Sequence, residues 1–354
     1  MTPESIRDAS TTADVVVVQG HVANDLFAHG ATRPTVVDLY DPFLVENFHY
    51  FDSHGREVFD HDHATLMRSL TRGDFFLCAS ESQRLFYLGF LAATRRLNPV
   101  SFESDHSMGS LIAIAPFGVP PRRHVPDKSV DSPSLLFGGI YDWYDPILAI
   151  EAVAEARKAI PGLTLTFTRH PNADVTPQGL AAKAETFVRQ HGCSDFVSFE
   201  PWVPYTERVP FYDRFNAAIL TFPTSLETDL AMRTRVLDYL WAGLPVITSP
   251  GRGTDELVAR YGAGTIVHDQ SSDAFARAIE RAFSSSDALR SMMDGAASFA
   301  ADFQWERTLG PLREFCRAPR EDASKRDFVA GRQPESGGSL TIARRIRRRF
   351  GRRT

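Results

Sequence analysis

Ser225-Leu-Glu-Thr-Asp-Leu-Ala-Met-Arg-Thr-Arg-Val-Leu-Asp-Tyr-Leu-Trp-Ala-Gly-Leu-Pro-Val-Ile-Thr-Ser249 reads as loop, helix, tight turn and buried strand. The helix is expected to start near Met232 to Thr234, with Thr228 or Asp229 as its cap. Val236, Leu237, Leu240 and Trp241 fall on one side at helical spacing. Gly243 is placed to end the helix, and Pro245 follows it. Val246-Ile247 opens a strand that Ser249-Pro250-Gly251 closes. Arg233 and Arg235 sit at the first turn, where cations are unfavourable unless an anion is bound. With Asp238 a turn further in, two readings stand side by side. One is a phosphate site with a carboxylate free for sugar hydroxyls; the other is an Arg235–Asp238 ion pair on a solvated face.

The surrounding chain has 354 residues, 43% hydrophobic and 23% charged. That is globular composition and enough for two domains. The formal net charge of -5 gives no general attraction to nucleic acid, and none is expected as a partner. From Pro319 to Thr354 there are 11 Lys/Arg against 4 Asp/Glu, so this tail carries +7 and the rest carries -12. Cys78, Cys193 and Cys316 are scattered and form no C-x-x-C pair, which suits a reducing cytoplasm and argues against a metal or disulfide framework. No signal peptide and no membrane-length apolar run is visible.

Outward from the opening stretch, short β-branched runs alternate with helical patterns. Strands are expected over 14–20, 34–42, 74–80 and 111–118, with a helix over 81–94, a frayed lead-in over 1–12, and a loop and helix within 43–70. Val119 to Pro133 is rich in Pro and charge and marks a domain boundary. The alternation then restarts with strands over 134–140, 163–168, 195–199 and 217–222, and helices over 146–159, 178–191, 205–212, 272–283, 287–303 and 305–315. The pattern predicts an α/β chain: a first domain over 1–120, a linker over 121–133, a second domain over 134–290, closing helices over 291–318 and a flexible basic tail over 319–354. In open parallel sheets ligands bind beyond the carboxyl ends of the strands. Asp38, Asp41, Gly138, Gly139, Asp142, Arg169, His170, Glu227 and the turn from Arg233 to Asp238 all fall there.

The run from Arg235 to Ser249 resembles the donor-binding helix and strand of GT-B glycosyltransferases, particularly glycosyltransferase family 4. Val37-Asp-Leu-Tyr-Asp-Pro-Phe43, Phe76-Leu-Cys-Ala-Ser-Glu-Ser-Gln-Arg84, Phe137-Gly-Gly-Ile-Tyr-Asp-Trp-Tyr-Asp-Pro146 and Arg169-His-Pro-Asn172 extend the resemblance to a bacterial surface-polysaccharide branch, over roughly Asp14 to Phe315. Trp305-Glu-Arg and the following Leu309 to Phe315 look like the last helix crossing back onto the first domain. The resemblance implies two Rossmann-like domains facing a cleft, and transfer of a sugar from a nucleotide-sugar donor to a polysaccharide or glycolipid acceptor with retention of configuration. Asp238 would hold the ribose, Glu227 or Asp229 the donor-sugar hydroxyls, and Gly138 and Gly139 would let the backbone approach phosphate. Asp142, Arg169 and His170 would complete the donor side, and Asp38 and Asp41 the acceptor or base side. No cofactor or metal is implied.

The sequence departs from the family pattern. Leu230 stands where the family carries a Glu, leaving Glu227 or Asp229 to take that role. The basic pair after the first strand of the second domain is missing, so Arg233, Arg235 or Arg169 would neutralise the diphosphate. The first recognisable strand looks like a later one, so the chain reads as lacking about half of its first sheet, through a late start or a truncated gene. Val15 to Val18 would then form an exposed sheet edge.

Asp41-Pro42 also reads as a turn cap, and Trp143 and Tyr144 either stack on a ligand or pack at the interdomain hinge. His49, His54, His61 and His63 with Asp52, Asp60 and Asp62 fit no standard metal set and read as a solvated loop at the acceptor entrance. In the tail, Ile342, Ile346 and Phe350 recur at i, i+4 and i+8 among arginines. Leu340–Arg353 is thus either a basic amphipathic stripe for an anionic membrane surface or a solvated tail. The chain is accordingly expected in the cytoplasm, with peripheral attachment to the inner membrane face as an option. Two other functions share the fold: a nucleotide-sugar epimerase, and a non-catalytic nucleotide-sugar-binding or membrane-associated paralogue.

Overall fold

The computed structural model describes residues 3–28, 33–126, 132–169, 179–325 and 328. His170 and the Leu340–Arg353 stripe lie outside the described residues.

The first sheet contains β1 (Val16–Gln19), β2 (Thr35–Asp38), β3 (Phe75–Cys78) and β4 (Ile112–Ile114), ordered β1-β2-β3-β4 and parallel throughout. The second contains β5 (Ser134–Gly139), β6 (Thr164–Thr168), β7 (Val197–Glu200), β8 (Ala217–Leu220), β9 (Val246–Thr248) and β10 (Gly264–Ile266), ordered β10-β9-β8-β5-β6-β7 and again parallel. The near-continuous apolar runs become strands covered on both faces, as in β3 and β8, where every residue is buried. The chain winds outward from β5 through β6 to β7, then returns to the other side of β5 at β8. That reversal opens a crevice between the carboxyl ends of β5 and β8.

The opening stretch differs from its sequence reading at one point. Leu226–Leu230 forms a short separate helix, closed by a reciprocal Ser225–Thr228 capping box. The chain is extended at Ala231 and Arg233 before the helix Thr234–Trp241, whose N-cap Arg233 makes no side-chain cap bond. Thr228 and Asp229 therefore serve the earlier helix, not the later one. Gly243 ends the second helix at φ 73°, with Val125 packed where a Cβ would stand.

Other readings also change. Pro3–Thr12 is a helix, and so is Phe51–Arg72, kinked at Gly55, so the His/Asp-rich stretch is not a loop. Asp62 is buried there, accepting from Asn47 at 2.7 Å and facing His21 at 3.3 Å. No group of three or more metal-ligating side chains occurs among the described residues. The helix Ser286–Phe299 spans the expected boundary at 290, and its Ala296 and Phe299 belong to the second domain's core.

The helix Gly310–Arg317 lies on the first sheet, with Phe315 stacked on Phe75 at 4.9 Å and packed with Val36 and Leu77. The expected flexible tail is anchored at its start. Asp322 pairs with the fully buried Arg96 at 2.6 Å, and Lys325 pairs with Asp74 at 2.6 Å. No helix of the described residues is long and apolar enough to cross a membrane.

Candidate active site

Two cavities meet at the start of the helix Thr234–Trp241. The first, of about 140 Å³, lies within the second domain beside Gly138, Gly139, Trp202, Arg208, Tyr212 and Asp238. The second, of about 330 Å³, lies between the domains beside Tyr40, Asp41, Glu46, Trp143, Glu227 and Arg233. Tyr141, Thr234 and Arg235 line both. The domains are fastened just below this junction. The Tyr40 hydroxyl donates to the Met232 carbonyl at 2.9 Å, and the buried Gln83 amide donates to the carbonyls of Tyr40 and Leu230 at 2.7 and 2.9 Å.

The two first-turn arginines have different surroundings. Arg233 is buried, pairs with the equally buried Glu227 at 3.0 Å, and lies 4.2 Å over the Phe222 ring. Its charge is already matched, so it is not the free counter-ion that its position in the sequence suggests. Arg235 donates to the Gly139 carbonyl at 2.6 Å and lies over the rings of Tyr141 and Tyr144. It meets no carboxylate at salt-bridge distance among the described residues. The Arg235–Asp238 pair of the sequence reading does not form. Asp238 binds Arg208 instead, at 2.8 Å, with a further hydrogen bond from Tyr212. Burial raises the Asp238 carboxyl, against the opposing effects of Arg208, Tyr212 and Arg235.

Gly138 and Gly139 are not equivalent. The Gly138 N–H donates to the Tyr239 hydroxyl at 3.0 Å, and a Cβ on Gly138 would stand 2.6 Å from that oxygen. A Cβ on Gly139 would make only ordinary contacts. Close packing of the helix against β5 therefore requires Gly138, while Gly139 contributes its carbonyl and an open wall.

The remaining expected site residues divide. Asp38 accepts from the Tyr40 N–H at 3.0 Å and so caps its own turn, outside the lining of either cavity. Burial raises its carboxyl, partly offset by that bond. Asp41, read as the more natural turn cap, faces the interdomain cavity. Asp142 accepts weakly from the Leu180 N–H, and Arg169 is taken up by Glu185 at 2.9 Å and by the Phe199 carbonyl. Asp229 faces Arg252 at 3.6 Å. None of these three lines either cavity, so of Glu227 and Asp229 it is Glu227 that reaches the cleft. Trp143 both packs and faces the cavity: it stacks on Tyr141 at 4.9 Å and meets the rings of His49 and Tyr50 from the first domain.

Sequence reading missed Glu46, Trp202 and Arg208. Trp202 and Arg208 follow the carboxyl end of β7, and that position was the available signal. Glu46 ends the short helix Phe43–Glu46 and has no sequence mark. Burial, together with the neighbouring Asp41 to which it hydrogen-bonds, pushes the Glu46 carboxyl up to about 9. The unfolded chain releases this proton near an ordinary Glu value of about 4.3. Between those values the native state holds more protons, so this group's contribution falls as pH rises and levels off above about 9. Glu46→Gln keeps a neutral donor beside Asp41. Its melting midpoint is expected to gain on the wild type as pH climbs from 5 to 9, by about 2 °C or more. Melting curves across that range check this; a difference independent of pH would refute it.

Two parallel-sheet domains whose strand carboxyl ends meet over these cavities define the GT-B fold. Residues 133–285 match the family described as Glycosyl transferases group 1. No sequence among the curated proteins matches the chain. Among solved structures, the chain is similar to the pneumococcal O-GlcNAc transferase GtfA in complex with UDP and GlcNAc, at 12% identity and a TM-score of 0.60, over 89% of this chain and 59% of that one. It is similar to TarM at 10% identity and 0.67, over 89% and 57%. It is also similar to Anabaena Alr3699/HepE in complex with UDP and glucose, at 14% identity and 0.65, over 89% and 80%. At these identities the likeness is one of fold. The chain spans 59% of the length of GtfA and 57% of TarM.

Proposed function

We propose that the chain is a glycosyltransferase that moves a sugar from a nucleoside-diphosphate donor to a glycan or glycolipid hydroxyl. The observation that carries this reading is Arg235, a guanidinium without a carboxylate partner among the described residues, at the junction of the two cavities. A donor laid across the junction puts its ribose on Asp238, its diphosphate at Arg235 and Thr234, and its sugar near Glu227. The group 1 match over residues 133–285 and the UDP in the GtfA and HepE complexes support a nucleotide-sugar donor. In the transfer the anomeric C–O bond to the diphosphate breaks and a C–O bond to the acceptor forms. With retention, the acceptor proton passes to the departing phosphate, so the protein supplies position and charge more than a strong base. The guanidinium, not a metal, meets the diphosphate charge.

Thermal shift with UDP and UDP-sugars tests the placement. Asp238→Ala removes the ribose contact and is expected to weaken nucleotide binding about tenfold to a hundredfold, as for a hydrogen bond to a charged group. Equal stabilisation of both proteins by nucleotide would sink the ribose assignment. We further propose a lipid-linked acceptor, with Leu340–Arg353 drawing the enzyme to an anionic membrane surface. Flotation on anionic vesicles should then fall sharply when residues 340–354 are removed; unchanged flotation would rule the stripe out.

A further inference from the structure

We infer that Arg208 reads the nucleobase, selecting donors whose base presents carbonyl oxygens, uracil or guanine, over adenine. This rests on the donor reading of Asp238. Arg208 lines the inner cavity, where its guanidinium carbon lies 5.8 Å from the Trp202 ring centre and 5.3 Å from that of Tyr205. One of its terminal nitrogens, Nη1, is fixed on Asp238 Oδ2 at 2.8 Å. Nε and Nη2 make no hydrogen bond among the described residues. The fork is therefore anchored at one end on the carboxylate assigned to the ribose, with the nitrogens Nε and Nη2 left over.

A ribose on Asp238 holds its base one glycosidic bond away, against the Trp202 wall and within reach of the same guanidinium. Guanidinium carries donors and no acceptor. It complements O2 or O4 of uracil and O6 and N7 of guanine, and it meets an amino group donor to donor at the corresponding edge of adenine. An indole wall stacks on any base and gives affinity without choice. The choice then falls to Arg208.

The test measures dissociation constants of UDP, GDP and ADP for the wild type, Arg208→Ala, Arg208→Lys and Asp238→Ala. Melting midpoints without nucleotide report folding, which a partly exposed side chain should disturb little. The wild type is expected to bind UDP or GDP at least about tenfold more tightly than ADP, the size of one charge-assisted hydrogen bond. Arg208→Ala should bring that ratio within about threefold, and Arg208→Lys should keep part of it. Asp238→Ala should weaken all three nucleotides, ADP included, whereas Arg208→Ala should leave ADP binding nearly unchanged. A wild-type ratio near one, or an Arg208→Ala variant that loses all three nucleotides by the same factor, overturns the inference and leaves the donor site standing. No binding of any nucleotide by the wild type overturns the donor reading and this inference together.

Discussion

Arg233→Leu should lower the stability of the second domain by about 3–5 kcal/mol, the usual cost of stranding one member of a buried ion pair. The Glu227 carboxylate is 2% exposed and faces Arg233 at 3.0 Å. Without the guanidinium, which lies over Phe222 and Tyr144, the buried carboxylate has lost its cation and keeps Glu46 as an acidic neighbour across the cleft. The double variant Glu227→Leu/Arg233→Leu removes both charges, and such replacements are often neutral or stabilising. Its denaturation midpoint should return most of the way to wild type, while sugar transfer stays lost under the role proposed for Glu227 in holding the donor sugar. Denaturation of the two single variants and the double variant closes the cycle. A loss below about 1 kcal/mol in Arg233→Leu would show that the pair is not buried as described.

This ion pair also shows where sequence reading runs out. The helix Thr234–Trp241 and β9 were legible because Val236, Leu237, Leu240 and the following β-branched run obey local periodicities, and Gly243 supplies the turn. What Arg233 binds depends on the chain breaking at Ala231–Met232, so that Glu227 on one short helix faces an arginine on the next. Composition does not encode that break. Arg208 and Asp238 are thirty residues apart, on the helices before and after β8, and only the fold brings them together. Asp38 ends β2 and is held by the Tyr40 N–H, while Asp41, three residues on, faces the cavity, and the sequence does not tell the two apart.

Of the elements that were missed or read only in part, two helices share a related reason. The helix Arg252–Tyr261 begins Gly-Arg-Gly-Thr-Asp, which imitates a loop, and its apolar contacts rest mainly on Leu257 and Val258. The helix Phe51–Arg72 was read as partly solvated because it buries Asp62, a polar residue that pattern reading assigns to the surface. In both, tertiary contacts override a weak local signal.

Arg235→Ala should reduce kcat by about a hundredfold to a thousandfold, the range for removing one preorganised donor from developing negative charge. Charge grows on the diphosphate as the anomeric bond breaks, so the guanidinium interacts more strongly with the transition state than with bound donor. The loss should therefore fall on kcat rather than on the KM for donor. Arg235 also anchors the Gly139 carbonyl at 2.6 Å, so a lower melting midpoint is expected as well, and kcat has to be measured below that transition. Arg235→Lys separates the two roles: an ammonium would restore charge near the proposed phosphate position, but it lacks the planar fork that could bind Gly139 and a phosphate oxygen at once. It should recover part of the rate and little of the stability. If the guanidinium supplies the counter-charge, wild-type transfer should persist in EDTA. Transfer abolished by EDTA would move that role to a metal, and an Arg235→Ala kcat within about threefold of wild type would remove Arg235 from the reacting centre.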